Sequence, residues 1–202
     1  MIQIVISSPE AVDRELQRIV ALFEAGMELF HLRKSNASEL ELTQLLKEVP
    51  EDFREKIALH QHHRLAARFG IKRLHFPEKL RMATPVSQLE SLKTQGHILS
   101  TSIHKRERFL QLSSCFSYAL YGPVFPSISK PGYQPSTETP LQKLPESGCK
   151  KVAIGGIEEN KIPLLREWGF DGYALLGAIW QENSKDGLKH FLQCRKTHEM
   201  IG

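Results

Sequence analysis

Short apolar runs recur along the chain, and amphipathic stretches separate most of them. The runs are Ile2–Ile6, Leu29–Leu32, Ile57–Leu59, Leu74–Phe76, Ile98–Ile103, Phe116–Tyr121, Val152–Ile154 and Tyr173–Leu176. Each has the length of a strand buried on both faces. Helical periodicity is strongest over Pro9–Gly26, Ala37–Val49, Val86–Gln95 and Gly187–Met200. Ser38-Glu39-Leu40-Glu41 gives the second of these a capping-box start. Strand alternating with helix predicts parallel pairing, and eight repeats favour closure into a barrel over an open sheet. The expected architecture is therefore α/β, a (βα)8 barrel forming one domain over residues 1–202.

The run Val152-Ala153-Ile154 ends in Gly155-Gly156-Ile157, and an apolar-periodic segment follows from Ile162 to Trp168. This reads as strand, tight turn and helix, with Asn160 as the expected cap and Pro163 in the first helical turn. Leu175-Leu176-Gly177-Ala178 repeats the glycine ending one unit later. Paired glycine-ended loops at the last two strands of a barrel suit a phosphate held by backbone N–H groups. A second feature is the stretch from Gly122 to Pro140. It carries Pro123, Pro126, Pro131, Gly132, Pro135 and Pro140, and reads as a long functional loop or a stiff cover over the mouth.

Composition narrows this picture without redirecting it. With 202 residues, 41% hydrophobic and 25% charged, the chain is an ordinary globule near the lower size limit of such a barrel. No apolar run is long enough to span a bilayer, and the opening Met1-Ile2-Gln3-Ile4 does not read as a signal peptide. Three widely spaced cysteines, Cys115, Cys149 and Cys194, suit reduced thiols. The expected location is the cytoplasm. The net charge of +4 has no aromatic interleaving at its one dense basic run, His104–Arg108, which reads as a solvated helix face. An anionic small molecule is the partner expected, not nucleic acid or a membrane. The sequence leaves homo-oligomerisation open.

In a barrel, chemistry gathers at strand C-termini. Those positions carry His31 and Arg33, His60 and Gln61, His75, Ser102 and His104. Seven of the nine histidines fall between His31 and His104. Neutral imidazoles can move protons near neutral pH, and Arg33 offers a planar fork for phosphate. His60-Gln61-His62-His63 also raises a metal reading, weakened because His62 and His63 suit the start of a helix. None of the four aspartates falls at an expected strand end, and Glu78 is the one acid near the mouth in the first four loops. A magnesium site, which favours carboxylate oxygens, is not expected.

These motifs resemble the thiamine-phosphate synthase and TenI family. His31-Leu32-Arg33-Lys34 is similar to its Gln-x-Arg-x-Lys element, and Ser102-Ile103-His104 to its Ser-x-His. Gly122-Pro123-Val124-Phe125-Pro126-Ser127-Ile128-Ser129-Lys130 resembles its loop after strand six. Ala153-Ile154-Gly155-Gly156-Ile157 and Ala178-Ile179 resemble its phosphate loops. The resemblance implies a thiazole phosphate gripped by Gly155, Gly156, Gly177 and Ala178. It implies a pocket formed by Arg33, Lys34, Gln61, His75, Ser102, His104, Pro123, Phe125, Ser127 and Ser129, with Lys130 and Arg33 facing a diphosphate. The family's Asn-Asp falls on His60-Gln61 and its second magnesium aspartate on Leu80. The metal half therefore departs while the phosphate half is kept. That pattern favours a TenI-like thiazole tautomerase, needing no cofactor, although TenI's histidine position holds Pro123. The alternative is the synthase, which uses Mg2+, with Glu78 a weak candidate ligand. A third reading is a silent binder of thiazole or thiamine phosphates. For proton transfer, His31 is the expected base, its pKa lowered by Arg33, with His60 facing it.

Overall fold

The computed structural model describes residues 1–126, 148–180 and 184–201. Eight parallel strands close into a barrel in chain order. They are β1 (Ile2–Ile6), β2 (Phe30–Leu32), β3 (Ile57–Leu59), β4 (Arg73–Phe76), β5 (Ile98–Ile103), β6 (Phe116–Tyr121), β7 (Lys150–Ile154) and β8 (Gly172–Leu175). Closure comes from β1 against β8, with Ile2 opposite Gly172 and Val5 opposite Leu175. Every expected strand is present, within two residues at each end.

The helices are α1 (Glu15–Glu24), α2 (Glu39–Glu48), α3 (Glu51–Arg54), α4 (Leu65–Phe69), α5 (Glu78–Ala83), α6 (Val86–Thr94), α7 (Ile162–Glu167) and α8 (Ser184–Met200). The first helix starts six residues later than Pro9, because Arg14 takes a left-handed conformation at φ 52° and sets the start. In α2 the capping box forms: Ser38 accepts from the Glu41 N–H, and the Glu41 carboxylate accepts from Ser38 N–H. Asn160 does not cap α7. A 3-10 turn over Glu159–Lys161 intervenes, and the helix begins without a side-chain cap. The basic run after β5 leads into a 3-10 helix over Arg106–Gln111.

Alternate strand residues divide between two apolar regions. Val5, Phe30, Leu32, Ile57, Leu59, Leu74, Phe76, Leu99, Ala153, Tyr173 and Leu175 pack outward beneath the helices. Ile4, Ile6, Ala58, Tyr118, Leu120, Val152 and Ala174 fill the barrel interior. The interior is not uniformly apolar. On β2 to β5 its upper inward positions carry His31, His75, Ser100 and Ser102, and His60 continues β3 by one residue. The polar side of the barrel thus faces an aliphatic side supplied by β6 to β8 and β1.

Candidate active site

At the C-terminal ends of the strands lies a cavity of about 410 Å3. Arg33, Ser35, His60, Gln61, Glu78, Ser102 and His104 form its polar wall; Ile6, Pro77, Leu120 and Ile154 form its apolar wall. Hydrogen bonds and an ion pair hold several of these strand ends and side chains in place. The Arg33 N–H donates to Ser7 Oγ at 2.7 Å, and Ser7 Oγ donates to the Arg33 carbonyl at 2.8 Å. These bonds clamp the end of β2 to that of β1. The Gln61 side-chain amide donates to the Lys34 carbonyl, tying the end of β3 to β2. His104 Nδ1 lies 2.9 Å from the Gly122 carbonyl and donates to it. Glu78 is paired with Arg81 at 3.3 Å.

Below the cavity floor three histidines meet. His31 and His75 are fully buried, and His60 is 7% exposed. His31 Nδ1 and His60 Nε2 are 2.8 Å apart, and His31 Nε2 is 2.7 Å from the Tyr118 hydroxyl. Tyr118 is also hydrogen-bonded to Ser100. Ser100 Oγ lies 2.9 Å from His75 Nδ1, and Ser102 Oγ lies 2.9 Å from His75 Nε2. His60 stacks on His75 with ring centroids 4.0 Å apart. A single hydrogen-bonded chain therefore runs from His60 through His31, Tyr118, Ser100 and His75 to Ser102, and both its ends line the cavity. Such mutual satisfaction is what makes burial of six polar side chains tolerable.

Burial sets the charge of this cluster. It lowers the His31 pKa to about 3, with the Arg73 guanidinium adding to the shift. Burial, then neighbouring His75 and His31, hold His60 well below its ordinary value. Burial, then His31, does the same for His75. All three are neutral at pH 7. For His31 the expected direction is right and the expected cause is not: desolvation dominates, and the charge that adds to it is Arg73, not Arg33. Burial also pushes the Tyr118 hydroxyl up to about 12, so it remains protonated.

Not every expected site residue reaches the cavity. Lys34 points away from it, donating to the Glu10 carbonyl at 2.8 Å and pairing with Glu15 at 2.7 Å. Phe125 packs outward against Trp168 at 5.5 Å, with the Lys161 ammonium 5.1 Å from its ring. His62 turns towards Ala37 and Glu39, and His63 towards the carbonyls of Leu59 and His75. Both lie in the turn before α4 instead of starting it. Ser127, Ser129 and Lys130 lie outside the described residues. Gly155 and Gly156 do form a tight turn, at φ +100° and +61°. Their open faces are covered by the chain itself. A Cβ on Gly155 would stand 2.8 Å from Pro123 Cβ, and one on Gly156 would strike the Pro126 carbonyl and stand 2.9 Å from Phe125 Cβ. Val124 N–H donates to the Ile154 carbonyl, and Phe125 N–H to that of Gly155. The glycines seat the segment after β6 on the β7 turn. Gly177 and Ala178 are half-buried in a 3-10 turn after β8.

Residues 3–179 match the sequence profile described as thiamine monophosphate synthase. The chain belongs to that family. The thiamine-phosphate synthase of Helicobacter pylori (strain ATCC 700392 / 26695) is 33% identical over 104 residues, 50% of this chain. The match covers 47% of that protein, so the chain spans about half the length of the curated relatives it matches there. The thiamine-phosphate synthase of Syntrophomonas wolfei is 24% identical over 178 residues, 85% of this chain and 84% of its own. The thiamine phosphate pyrophosphorylase structure from Bacteroides thetaiotaomicron superimposes with a TM-score of 0.76 over the whole of both chains, at 21% identity. That likeness concerns the barrel alone. Among the described helices, none is long and apolar enough to cross a membrane.

The magnesium used by this synthase family finds few suitable donors in the cavity. Glu78 is the one carboxylate among the described lining residues, and Arg81 already holds it. The other polar groups are imidazoles, an amide, hydroxyls and a guanidinium. Hard magnesium wants carboxylate and phosphate oxygens, so this wall does not fit it.

Sequence reasoning missed Ser7, Ser100 and Tyr118. Tyr118 and Leu120 alternate along β6 and share its inward face, so the period of two marks Tyr118 as an interior hydroxyl. Ser100 shares the face of Ser102 for the same reason. Ser7 directly follows β1, the strand-end position at which His60 was found after β3.

Proposed function

We propose that the chain is an enzyme of thiamine biosynthesis that binds a phosphorylated thiazole in the mouth cavity. The observation that carries the reading is the cavity itself, in a chain whose family match runs almost end to end. It places the Arg33 guanidinium, two imidazoles and two serine hydroxyls opposite an aliphatic wall. The apolar wall suits a small heterocycle, and Arg33 suits a phosphate.

Relatives named thiamine-phosphate synthase favour a joining reaction over the tautomerase favoured by the residues alone. In that reaction the thiazole nitrogen bonds to the pyrimidine methylene carbon, the C–O bond breaks and pyrophosphate leaves. Arg33 holds the thiazole phosphate, and Ser102 is placed to donate a hydrogen bond to the departing pyrophosphate. Charge that develops on the leaving group is what preorganised donors stabilise best. Gln61 and Ser35 border the same space, and the aliphatic wall excludes water.

The hydrogen-bonded chain behind the cavity favours a second reading, proton transfer on the thiazole. His60 faces the cavity, is neutral and can accept a proton, while His31 behind it fixes its orientation. In this reading His60 makes the contact that the sequence assigned to His31. A single comparison separates the readings. The purified chain is incubated with both synthase substrates and Mg2+, and separately with the thiazole phosphate tautomer. Pyrophosphate release supports the joining reaction, and accelerated tautomerisation alone supports proton transfer. Binding with neither reaction leaves a silent binder and contradicts the enzyme reading.

A further inference from the structure

We propose that His31, His60 and His75 form a binding site for a borderline-soft divalent cation, with zinc as the type, opening on the mouth cavity. Each histidine offers one ring nitrogen, and the three ligand atoms lie within 4.8 Å of one another. A tetrahedral zinc with Zn–N bonds of about 2.0–2.1 Å needs nitrogens about 3.3 Å apart. His31 and His60, now 2.8 Å apart through their shared proton, reach that spacing by separating about half an ångström. Their hydrogen bond is replaced by two metal bonds.

The supporting groups are those a histidine ligand needs. A ligating imidazole has its other nitrogen held by a hydrogen-bonding partner, which fixes tautomer and ring angle. With Nδ1 facing His60, His31 has its Nε2 held by the Tyr118 hydroxyl. Whichever nitrogen His75 uses, a serine hydroxyl holds the other. The three rings come from successive strands of the barrel, and on binding His75 gives up one serine hydrogen bond and turns out of its stack on His60. Burial keeps them neutral, the form in which an imidazole ligates a metal.

The donor set selects the ion. Three neutral imidazoles without a carboxylate suit zinc, and also cobalt, nickel or copper, far better than magnesium. Three protein ligands leave a fourth position, the arrangement of open zinc sites. An ion reaches the cluster past His60, the one member lining the cavity. Arg33 and Arg73 are charges felt within the cluster. An anionic fourth ligand, hydroxide or a phosphate oxygen, is therefore expected to complete it. The site shares His60 with the proton-transfer reading, but it rests on the three histidines and not on any substrate, so its test does not depend on that reading.

The full-length chain, stripped with chelator and dialysed, is titrated with Co2+ and read by its visible absorption. The proposal expects one ion per chain, the intense bands of tetrahedral cobalt, and displacement by Zn2+. X-ray absorption at the zinc edge should show imidazole scattering. His60→Gln should weaken binding about a hundredfold or more, beyond the loss usual for a supporting residue, and Tyr118→Phe about tenfold. His62→Gln, outside the cluster, should leave it unchanged. Three results would overturn the proposal: no stoichiometric cobalt spectrum, zinc lacking imidazole scattering, or binding lost in His62→Gln and kept in His60→Gln. Should a cluster variant fail to fold, the wild-type X-ray absorption spectrum still decides.

Discussion

Lys34 follows Arg33 by one position, and the pleat sends the two side chains to opposite sides of the barrel wall. Arg33 enters the cavity. Lys34 enters the layer beneath α1, where it meets Glu15, and both side chains are nearly buried at 10% and 13% exposure. One Glu15 oxygen, Oε1, has no hydrogen-bond partner among the described residues. Removing the lysine leaves a buried carboxylate uncompensated, so Lys34→Met should cost about 3 kcal/mol. Urea unfolding checks this. A loss below about 0.5 kcal/mol, typical of surface changes, would contradict it. The buried thiols give a pH dependence. Burial first, then Asp171, pushes Cys149 up to about 12; burial first, then Glu159, pushes Cys194 up to about 12. Both hold their protons longer in the folded chain than in the unfolded one. Stability is therefore full below the ordinary thiol range and falls as pH rises from about 9 towards 12. Unfolding measured at pH 8 and pH 10 should show the fall, and Cys194→Ala should reduce it. An unchanged slope would count against the assignment. At this scale the sequence was partly legible. It placed Arg33, His60, Gln61, Ser102 and His104 at strand ends, where they line the cavity. It could not tell that Glu15 would capture Lys34, or that Trp168 would hold Phe125 outside, because those contacts join residues far apart in sequence.

Elements were read most easily where local signals act alone. The capping box of α2 is local chemistry, and Ser38→Ala should cost about 1 kcal/mol by removing the bond to Glu41. The eight strands were legible because each is a short apolar run buried on both faces. Helix starts at α1 and α7 were not, since a left-handed Arg14 delays the first and a 3-10 turn stands where Asn160 was expected to cap the second. Two left-handed glycines separate strain from packing. Gly70 at φ +67° has open space where a Cβ would stand, whereas Gly156 at φ +61° faces the Pro126 carbonyl and Phe125. Gly70→Ala should cost about 1–2 kcal/mol, the left-handed penalty alone. Gly156→Ala should cost clearly more and unseat residues 123–126, which denaturation and amide exchange at Val124 and Phe125 would report. Equal losses at the two positions would show that the β7 turn does not seat this segment.

On the scale of the whole molecule, function follows from an interior divided in two. Strands β2 to β5 supply histidines and serines, and β6 to β8 with β1 supply aliphatic side chains. Tyr118 reaches across from β6 to join the polar side. The closed topology was legible from the count of alternating elements. The division was not, because it depends on register: His75 lies opposite Ser100, and Leu59 opposite Leu74 brings His60 beside His75. The missing magnesium carboxylates were visible in the sequence, but the imidazole cluster behind the cavity required three dimensions. The account rests on this cavity being the place where a phosphorylated substrate binds. Calorimetric titration of the full chain with thiazole phosphate tests that most directly. Single-site binding is predicted for the wild type, with affinity about tenfold to a hundredfold weaker in Arg33→Gln, the worth of one charge-assisted hydrogen bond. Absence of binding by the folded wild type, or an Arg33→Gln affinity equal to it, would contradict the account.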